Sequence, residues 1–341
     1  MINLKAKLAE KIFTKEIEMI ATRQGYGEGL VEAGEKDERV VVLCADLTES
    51  TRSNLFKEKF PKRFIEVGVA EQALATLASG MANYGKIPFI SSYATFSPGR
   101  NWEQIRTTIA LNNVPVKIAG AHAGLTVGPD GATHQMLEDI ALMRAMPNMV
   151  VIAPADSIEA RKATLEAAKN GKPTYIRFAR EKTPVFTTEK TPFKIGRAEI
   201  LWDSVTHNAR PITRNFVAIV GCGPLVYEAL LAAKKLSEGR NKIGCIVINS
   251  HTIKPLDEAT IVAAAKKTGA VVTVEEHQVT GGLGGAVAET LSRNYPVPIE
   301  FVGMPDSFGE SGEPDELLEK YKMKAKHIVS AVKRVISRKQ T

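Results

Sequence analysis

Cysteine is scarce in this chain: three thiols, Cys44, Cys222 and Cys245, in 341 residues. They lie far apart, so no Cys-x-x-Cys pair and no zinc arrangement exists. Cys44 and Cys245 sit in apolar, strand-like runs, where a thiol behaves as a small hydrophobe, and the odd count fits a reducing compartment. No apolar run approaches the ~20 residues that would span a bilayer. The first ten residues spread Lys5, Lys7 and Glu10 among apolar neighbours and read as a first helix rather than a signal peptide. The expectation is a cytoplasmic protein with no membrane contact. No Walker loop, HExxH, EF-hand or GxSxG is present. Gly25, Gly27 and Gly29 miss the dinucleotide fingerprint because the third glycine comes one residue early, inside a helical pattern. A conventional grip on nucleotide phosphates is therefore missing, and any diphosphate group needs its phosphates held elsewhere.

Hydrophobic residues make up 44% of the chain and charged residues 24%, an ordinary globular mixture. The length suits about two domains. The net charge is 45 − 38 = +7, and part of the excess is local: Lys320 to the C-terminus holds eight Lys/Arg and no acid. This stretch reads as a helix with Ile328, Val329, Val332, Val335 and Ile336 turned inward and a solvated basic face. Docking on an acidic partner is the alternative. No RNA-binding aromatic motif accompanies it, so no nucleic-acid partner is expected.

Short β-branched runs alternate with helical stretches. Strands are expected at 40–43, 88–91, 114–118, 149–152 and 174–177, and helices at 14–33, 72–84, 101–111, 138–146 and 157–170. After a polar stretch, strands return at 216–220, 244–248, 271–274 and 300–302, with helices at 227–236, 257–267, 285–292 and 315–321. The fold class expected is α/β, with two domains that are each a mostly parallel sheet with helices on both faces. Residues 1–185 form the first domain, 186–215 a linker carrying one strand (198–201), and 216–341 the second. Gly281, Gly282, Gly284 and Gly285 open a helix and form either an anion seat or a tight turn.

Five clusters fall where an expected strand gives way to a loop, the place where open α/β sheets bind ligands. They are Ala45 to Thr51; Glu71 at the start of a helix; Tyr93 and Phe96; His122 with Asp130 and His134; and Arg180. Each has an ordinary reading. Glu71 suits a first helical turn through the helix dipole. Tyr93 and Phe96 suit a core, Asp130 a Pro-Asp-Gly turn, and the histidines structural hydrogen bonding. Their joint placement at one edge of one sheet favours a site.

These residues also carry a resemblance. Ala-Thr-Arg at 21–23, Asp-Leu-Thr at 46–48, Arg-Phe-Ile-Glu at 63–66 and Ala-Glu-Gln at 70–72 stand in order along the chain. Gly-Pro-Asp-Gly-Ala-Thr-His-Gln at 128–135, Arg-Ala-Met-Pro-Asn at 144–148 and Ala-Pro-Ala-Asp at 153–156 follow. Together they resemble the pyrimidine-binding domain of the transketolases. Ile-Lys-Pro-Leu-Asp at 253–257 and Val-Glu-Glu-His at 274–277 resemble the C-terminal domain. The family's diphosphate- and magnesium-binding Gly-Asp-Gly motif has no counterpart here. The resemblance therefore implies the C-terminal half of a split transketolase, with a separate N-terminal subunit in an α2β2 assembly where this chain forms the dimer. It implies thiamine diphosphate as cofactor and Mg2+ with ligands from the partner, none from this chain.

By the same resemblance Glu71 sits against the pyrimidine N1′, where an acid in an apolar cleft can share a proton with a ring nitrogen. Tyr93 and Phe96 flank the ring, and Asp46 closes the pocket wall on the dimer side. Arg23, Ser50, His122 and Arg180 align with a sugar-phosphate set, and Asp130 with recognition of a ketose hydroxyl. His134 lies near both cofactor and substrate, and Arg100 is a further substrate contact. The implied reaction is transfer of a two-carbon ketol unit from a ketose phosphate to an aldose phosphate. The alternatives are a 1-deoxyxylulose-5-phosphate synthase-like enzyme, the beta subunit of a 2-oxoacid dehydrogenase, and a non-catalytic scaffold subunit.

Overall fold

The computed structural model describes residues 1–204, 215–238 and 242–339. Fourteen strands are found among them: β1 (Met19–Ala21), β2 (Val40–Cys44), β3 (Phe64–Glu66), β4 (Ile87–Tyr93), β5 (Lys117–Ala121), β6 (Val150–Ile152), β7 (Thr174–Arg177), β8 (Lys182–Pro184), β9 (Glu199–Asp203), β10 (Phe216–Gly221), β11 (Gly244–Asn249), β12 (Thr252–Lys254), β13 (Val271–Gln278) and β14 (Ile299–Met304). The helices are α1 (Thr22–Lys36), α2 (Asn54–Lys59), α3 (Glu71–Asn83), α4 (Trp102–Gln104), α5 (Asp139–Arg144), α6 (Ser157–Lys169), α7 (Leu225–Ser237), α8 (Glu258–Thr268), α9 (Leu283–Asn294), α10 (Pro314–Lys320) and α11 (Ala325–Ser337).

The strands form a seven-stranded sheet in the order β12-β6-β7-β5-β4-β2-β3 and a five-stranded sheet in the order β14-β13-β10-β11-β9. Within these two sheets all neighbours are parallel except the edge strands β12 and β9, which run antiparallel to β6 and β11, and β1 and β8 form a separate antiparallel pair. The expected fold class is therefore the one found. β2 reads Val-Val-Val-Leu-Cys and is buried along its whole length, the pattern of a strand covered on both faces. Alternation sorts its side chains. Val40 and Val42 join Tyr26, Leu30, Ala160 and Ala163 of α1 and α6, whereas Val41 and Leu43 join Leu74, Ala75 and Ala78 of α3.

The structure departs from the sequence reading in several places. The first ten residues are not a helix beyond one turn at Leu4–Ala6. Instead the Asn3 amide and side chain donate to the carbonyls of Leu201 and Ile200, and Ala6 and Ile12 pack into the core of the second domain. The helix expected from residue 14 begins only at Thr22, because Met19–Ala21 pairs antiparallel with β8. The strand expected at 114–118 lies at 117–121, and the helix expected over 101–111 is one short turn followed by π-helical turns at Ile105–Ala110. Within 186–215, residues 199–203 form an edge strand of the second sheet, and 205–214 lie outside the described residues. The basic helix α11 turns inward as expected: Ile328, Val329, Val332 and Val335 are buried and Ile336 packs partly against the core. Its Arg334 and Arg338 both bond Glu300. No helix is long and apolar enough to cross a membrane among the described residues.

Candidate active site

β2 leads to β3 on one side of the seven-stranded sheet, and β4 leads to β5 on the other. The order reverses between two adjacent strands, and the crevice beyond their carboxyl ends is the expected binding place in such a sheet. The loop after β2, the start of α3, the loop after β4 and the residue after β5 all end there. Two residues beside it have left-handed backbones, Asp46 (φ 57°) and His122 (φ 52°), and Arg52 (φ 63°) is a third. Such conformations are costly without a glycine and collect at functional sites.

Glu71 opens α3 and is 4% exposed. Ser92 Oγ donates to its Oε1 at 3.3 Å, and Arg100 Nη1 to its Oε2 at 3.3 Å. Asn101 Nδ2 donates to the Glu71 carbonyl at 2.8 Å and fixes the start of the helix. Arg100 lies over the Phe96 ring, 4.2 Å from its centroid, and so links the acid to the aromatic group. Tyr93 stacks on Phe96 at 6.0 Å and on His122 at 4.0 Å. His134 meets both aromatic rings edge-on, at 6.2 and 5.5 Å, and its Nδ1 lies 2.9 Å from Thr133 Oγ1. The result is a wall of four rings beside one buried carboxylate.

His122 is buried and its Nδ1 has no hydrogen-bond partner. Burial, helped by the charges of Arg23, Arg180 and His134, pushes its pKa down to about 3, so the ring is neutral near pH 7. Arg23 donates from Nη1 to the Ser50 carbonyl at 2.8 Å. Its pKa is lowered by burial and then by the like charges of Arg52 and Arg180. Arg180 Nη1 donates to the Val127 carbonyl at 3.1 Å and pairs with Glu181 at 2.8 Å.

Glu71, Tyr93, Phe96, Arg100, His122 and His134 are thus brought together, and Arg23, Ser50 and Arg180 adjoin them. Asp46 and Asp130 take no part in these contacts. Both are exposed, and neither carboxylate forms a hydrogen bond or ion pair among the described residues. Asp46 contributes its amide to Glu66 at 2.8 Å, and Asp130 its carbonyl to Thr133 at 3.5 Å. Sequence reasoning missed Ser92, Asn101 and Arg52. The first two act through a hydrogen bond to a distant residue, which no spacing discloses. Arg52 lies directly after the cluster 45–51, and nothing in its neighbours marks it.

The glycine-rich turn at 281–285 is not an open anion seat. Glu275 already occupies it, accepting from the amides of Leu283 and Gly284 at 2.7 Å each. In the other glycine run, 25–29, Gly25 and Gly29 let α1 lie against α6: a Cβ at Gly25 would stand 1.8 Å from the Ser157 carbonyl oxygen. No group of three or more His, Cys, Asp or Glu suited to a metal ion occurs among the described residues.

The transketolase pyrimidine-binding domain model matches residues 18–185, and the transketolase C-terminal domain model matches 212–328. The chain is 44% identical to a putative transketolase C-terminal section of Methanocaldococcus jannaschii, across 91% of this chain and 94% of that protein. It is 39% identical to a 6-deoxy-6-sulfo-D-fructose transketolase subunit of Clostridium sp., across 96% and 98%. A solved split-gene transketolase, an inactive β4 tetramer, superposes with a TM-score of 0.83 at 42% identity and covers 95% of this chain and 100% of that one. These relatives do not favour the synthase, dehydrogenase or scaffold alternatives. The chain belongs to the transketolase family, of which it carries the pyrimidine-binding and C-terminal domains.

Proposed function

We propose that this chain is the C-terminal subunit of a two-subunit transketolase and acts with thiamine diphosphate. The observation that carries the reading is the pairing of a buried Glu71 with the Tyr93–Phe96–His122–His134 ring wall. The donor set fits an aminopyrimidine. Both contacts to the Glu71 carboxylate are long, 3.3 Å each, which leaves acceptor capacity for a ring nitrogen. The aromatic faces offer stacking worth about 0.5–1.5 kcal/mol beyond area burial. Bound there, the cofactor supplies a thiazolium carbon acid that, once deprotonated, serves as nucleophile and electron sink.

This chain's own residues would orient and protonate. Glu71 holds a proton at the pyrimidine nitrogen, and Asn101 keeps its helix turn in place. Arg23, Arg180 and Ser50 bind the phosphate of a sugar substrate, with charge-assisted bonds that are stronger than neutral ones. His122, neutral at working pH, hydrogen-bonds without adding charge. His134, and Asp130 on its exposed loop, meet substrate hydroxyls, and Asp46 lies at the pocket's outer wall. The diphosphate and Mg2+ fall to an N-terminal partner subunit, and two copies of each chain make the enzyme. The half-exposed Arg100 marks a cleft with one wall open. That the solved split-gene relative is described as an inactive β4 tetramer supports the view that this type of chain self-associates and is idle alone.

The test is reconstitution. The two subunits, mixed with thiamine diphosphate, Mg2+, xylulose 5-phosphate and ribose 5-phosphate, should yield a seven-carbon sugar phosphate. Release of no such product, or consumption of pyruvate instead, removes the reading. The sulfosugar name of the Clostridium relative makes 6-deoxy-6-sulfofructose a second donor to try in the same assay.

A further inference from the structure

We propose that Arg52 completes a three-guanidinium cradle with Arg23 and Arg180 and selects substrates by a terminal dianion. The inference rests on the sugar-phosphate reading above and deepens it.

Arg52 is brought to the cradle by α1. Gly27 stands one turn after Arg23 on that helix, and a Cβ there would lie 2.6 Å from the Arg52 carbonyl oxygen and 2.8 Å from its Cβ. The missing side chain at 27 is what lets the Arg52 backbone press against the helix face that Arg23 shares. The left-handed backbone at Arg52 (φ 63°) is held in place by its own carbonyl and amide: Leu55 donates to the one, and the other donates to Glu49. A strained, non-glycine residue at this point is expected where the side chain has a task.

The charges near it are only partly compensated. Neither Arg23 nor Arg52 has a carboxylate within ion-pair distance among the described residues, and the Nε of each is buried without a hydrogen-bond partner. Arg180 does have one, Glu181 at 2.8 Å. Burial and then the like charges of Arg52 and Arg180 depress the pKa of Arg23, while Tyr93 and Glu181 act the other way, so three cations and one carboxylate share one field. His122 contributes none, being neutral. Two unpaired guanidiniums remain, and two positive charges match a phosphate dianion rather than a monoanion. Folding such a cluster costs electrostatic energy, which an anionic ligand would relieve.

The experiment compares the reconstituted wild-type enzyme with Arg52→Met and Arg52→Lys. The reading is kcat/KM for a phosphorylated ketose divided by that for its unphosphorylated counterpart. Loss of one charge-assisted contact should lower that preference about 10- to 100-fold in Arg52→Met, mainly through KM. Arg52→Lys should restore part of it. The wild-type preference should also fall below pH ~6, where phosphate becomes a monoanion, and a sulfonated ketose should show no such pH step. A second reading needs no partner: 31P titration of inorganic phosphate into the chain alone should saturate in wild type and not in Arg52→Met. An unchanged preference, a loss shared equally by both ketoses, or equal phosphate binding in wild type and Arg52→Met overturns the inference. A wild-type enzyme that transfers no two-carbon unit from either ketose defeats the transketolase reading instead, and leaves the phosphate titration to judge Arg52 by itself.

Discussion

The Glu71 carboxylate meets its neighbours through long contacts only, 3.3 Å each, so little of the fold depends on its charge. Glu71→Gln keeps the shape and removes the group that would hold a ring-nitrogen proton. The reconstituted rate should fall about 10²- to 10⁴-fold, with the thermal midpoint nearly unmoved; near-normal turnover would remove the assignment. His251 tests the opposite case, a histidine with a structural task. It is fully buried, stacks on Phe193 at 4.2 Å, and its Nδ1 lies 3.0 Å from Thr252 Oγ1. Burial pushes its pKa down to about 3 from the ordinary 6.5. Between these values the unfolded chain holds a proton that the folded chain refuses, so stability is full above pH 6.5 and falls as the solution is acidified. At pH 5 the lost stability amounts to about 2 kcal/mol. Urea melts of wild type and His251→Phe at pH 7.5 and pH 5 should show the gap between them shifting by that amount in favour of the variant.

Helix α1 shows how much an element can hide in its sequence. Gly25, Gly27 and Gly29 miss a phosphate fingerprint by one spacing; Gly25 and Gly29 are the flat side of the α1–α6 contact, and Gly27 makes room for Arg52. Gly25→Ala would bring a methyl against the Ser157 backbone, which has no cheap way to yield. The overpacking cost of about 1–3 kcal/mol exceeds the ~1 kcal/mol gained in helix propensity, so the urea midpoint should fall with the slope unchanged. Gly80, on α3, has nothing within 4 Å of its would-be Cβ, and Gly80→Ala should instead gain up to about 1 kcal/mol. The same contrast explains what could be read beforehand. The alternation of Val-Val-Val-Leu with amphipathic stretches is local, and it disclosed the parallel sheets and the loops that carry Glu71, Tyr93 and His122. The pairing of Met19–Ala21 with β8, the N-terminal run along β9, and the insertion of Thr252–Lys254 beside β6 each depend on a partner far along the chain. Local patterning therefore called two of these segments helical and left the third unassigned. Arg52 was missed for the same reason, since its meaning lies in its distance from α1.

At the scale of the whole molecule, the second domain reaches into the site's outer loop. Thr126 donates to Glu276 from its amide and, at 2.7 Å, from its hydroxyl. Arg177, buried against Asp139 at 2.8 Å, also bonds the Glu276 carbonyl at 2.8 Å. Gln135 joins the domains most directly: its Nε2 faces the carbonyls of Leu125 at 3.1 Å, Gly128 at 3.2 Å and Glu310 at 2.8 Å. One amide group thus ties both ends of the 125–128 turn to the loop before α10. The segment it fixes carries Asp130 and His134, whereas Glu71 and Asn101 are held by bonds within the first domain. The second domain can therefore set the placement of Asp130 and His134, while the hold on Glu71 stays with the first domain. Gln135→Leu should strand these carbonyls, at about 1–3 kcal/mol for each one left unsatisfied, and loosen the loop. In the reconstituted enzyme the KM for the sugar phosphate should rise several-fold, with a smaller rise in the thiamine diphosphate concentration giving half-maximal activity, because His134 also meets the Tyr93 and Phe96 rings. An equal or larger rise for the cofactor would mean that the loop serves the cofactor pocket as much as the substrate, and that the division of labour between the domains is wrong.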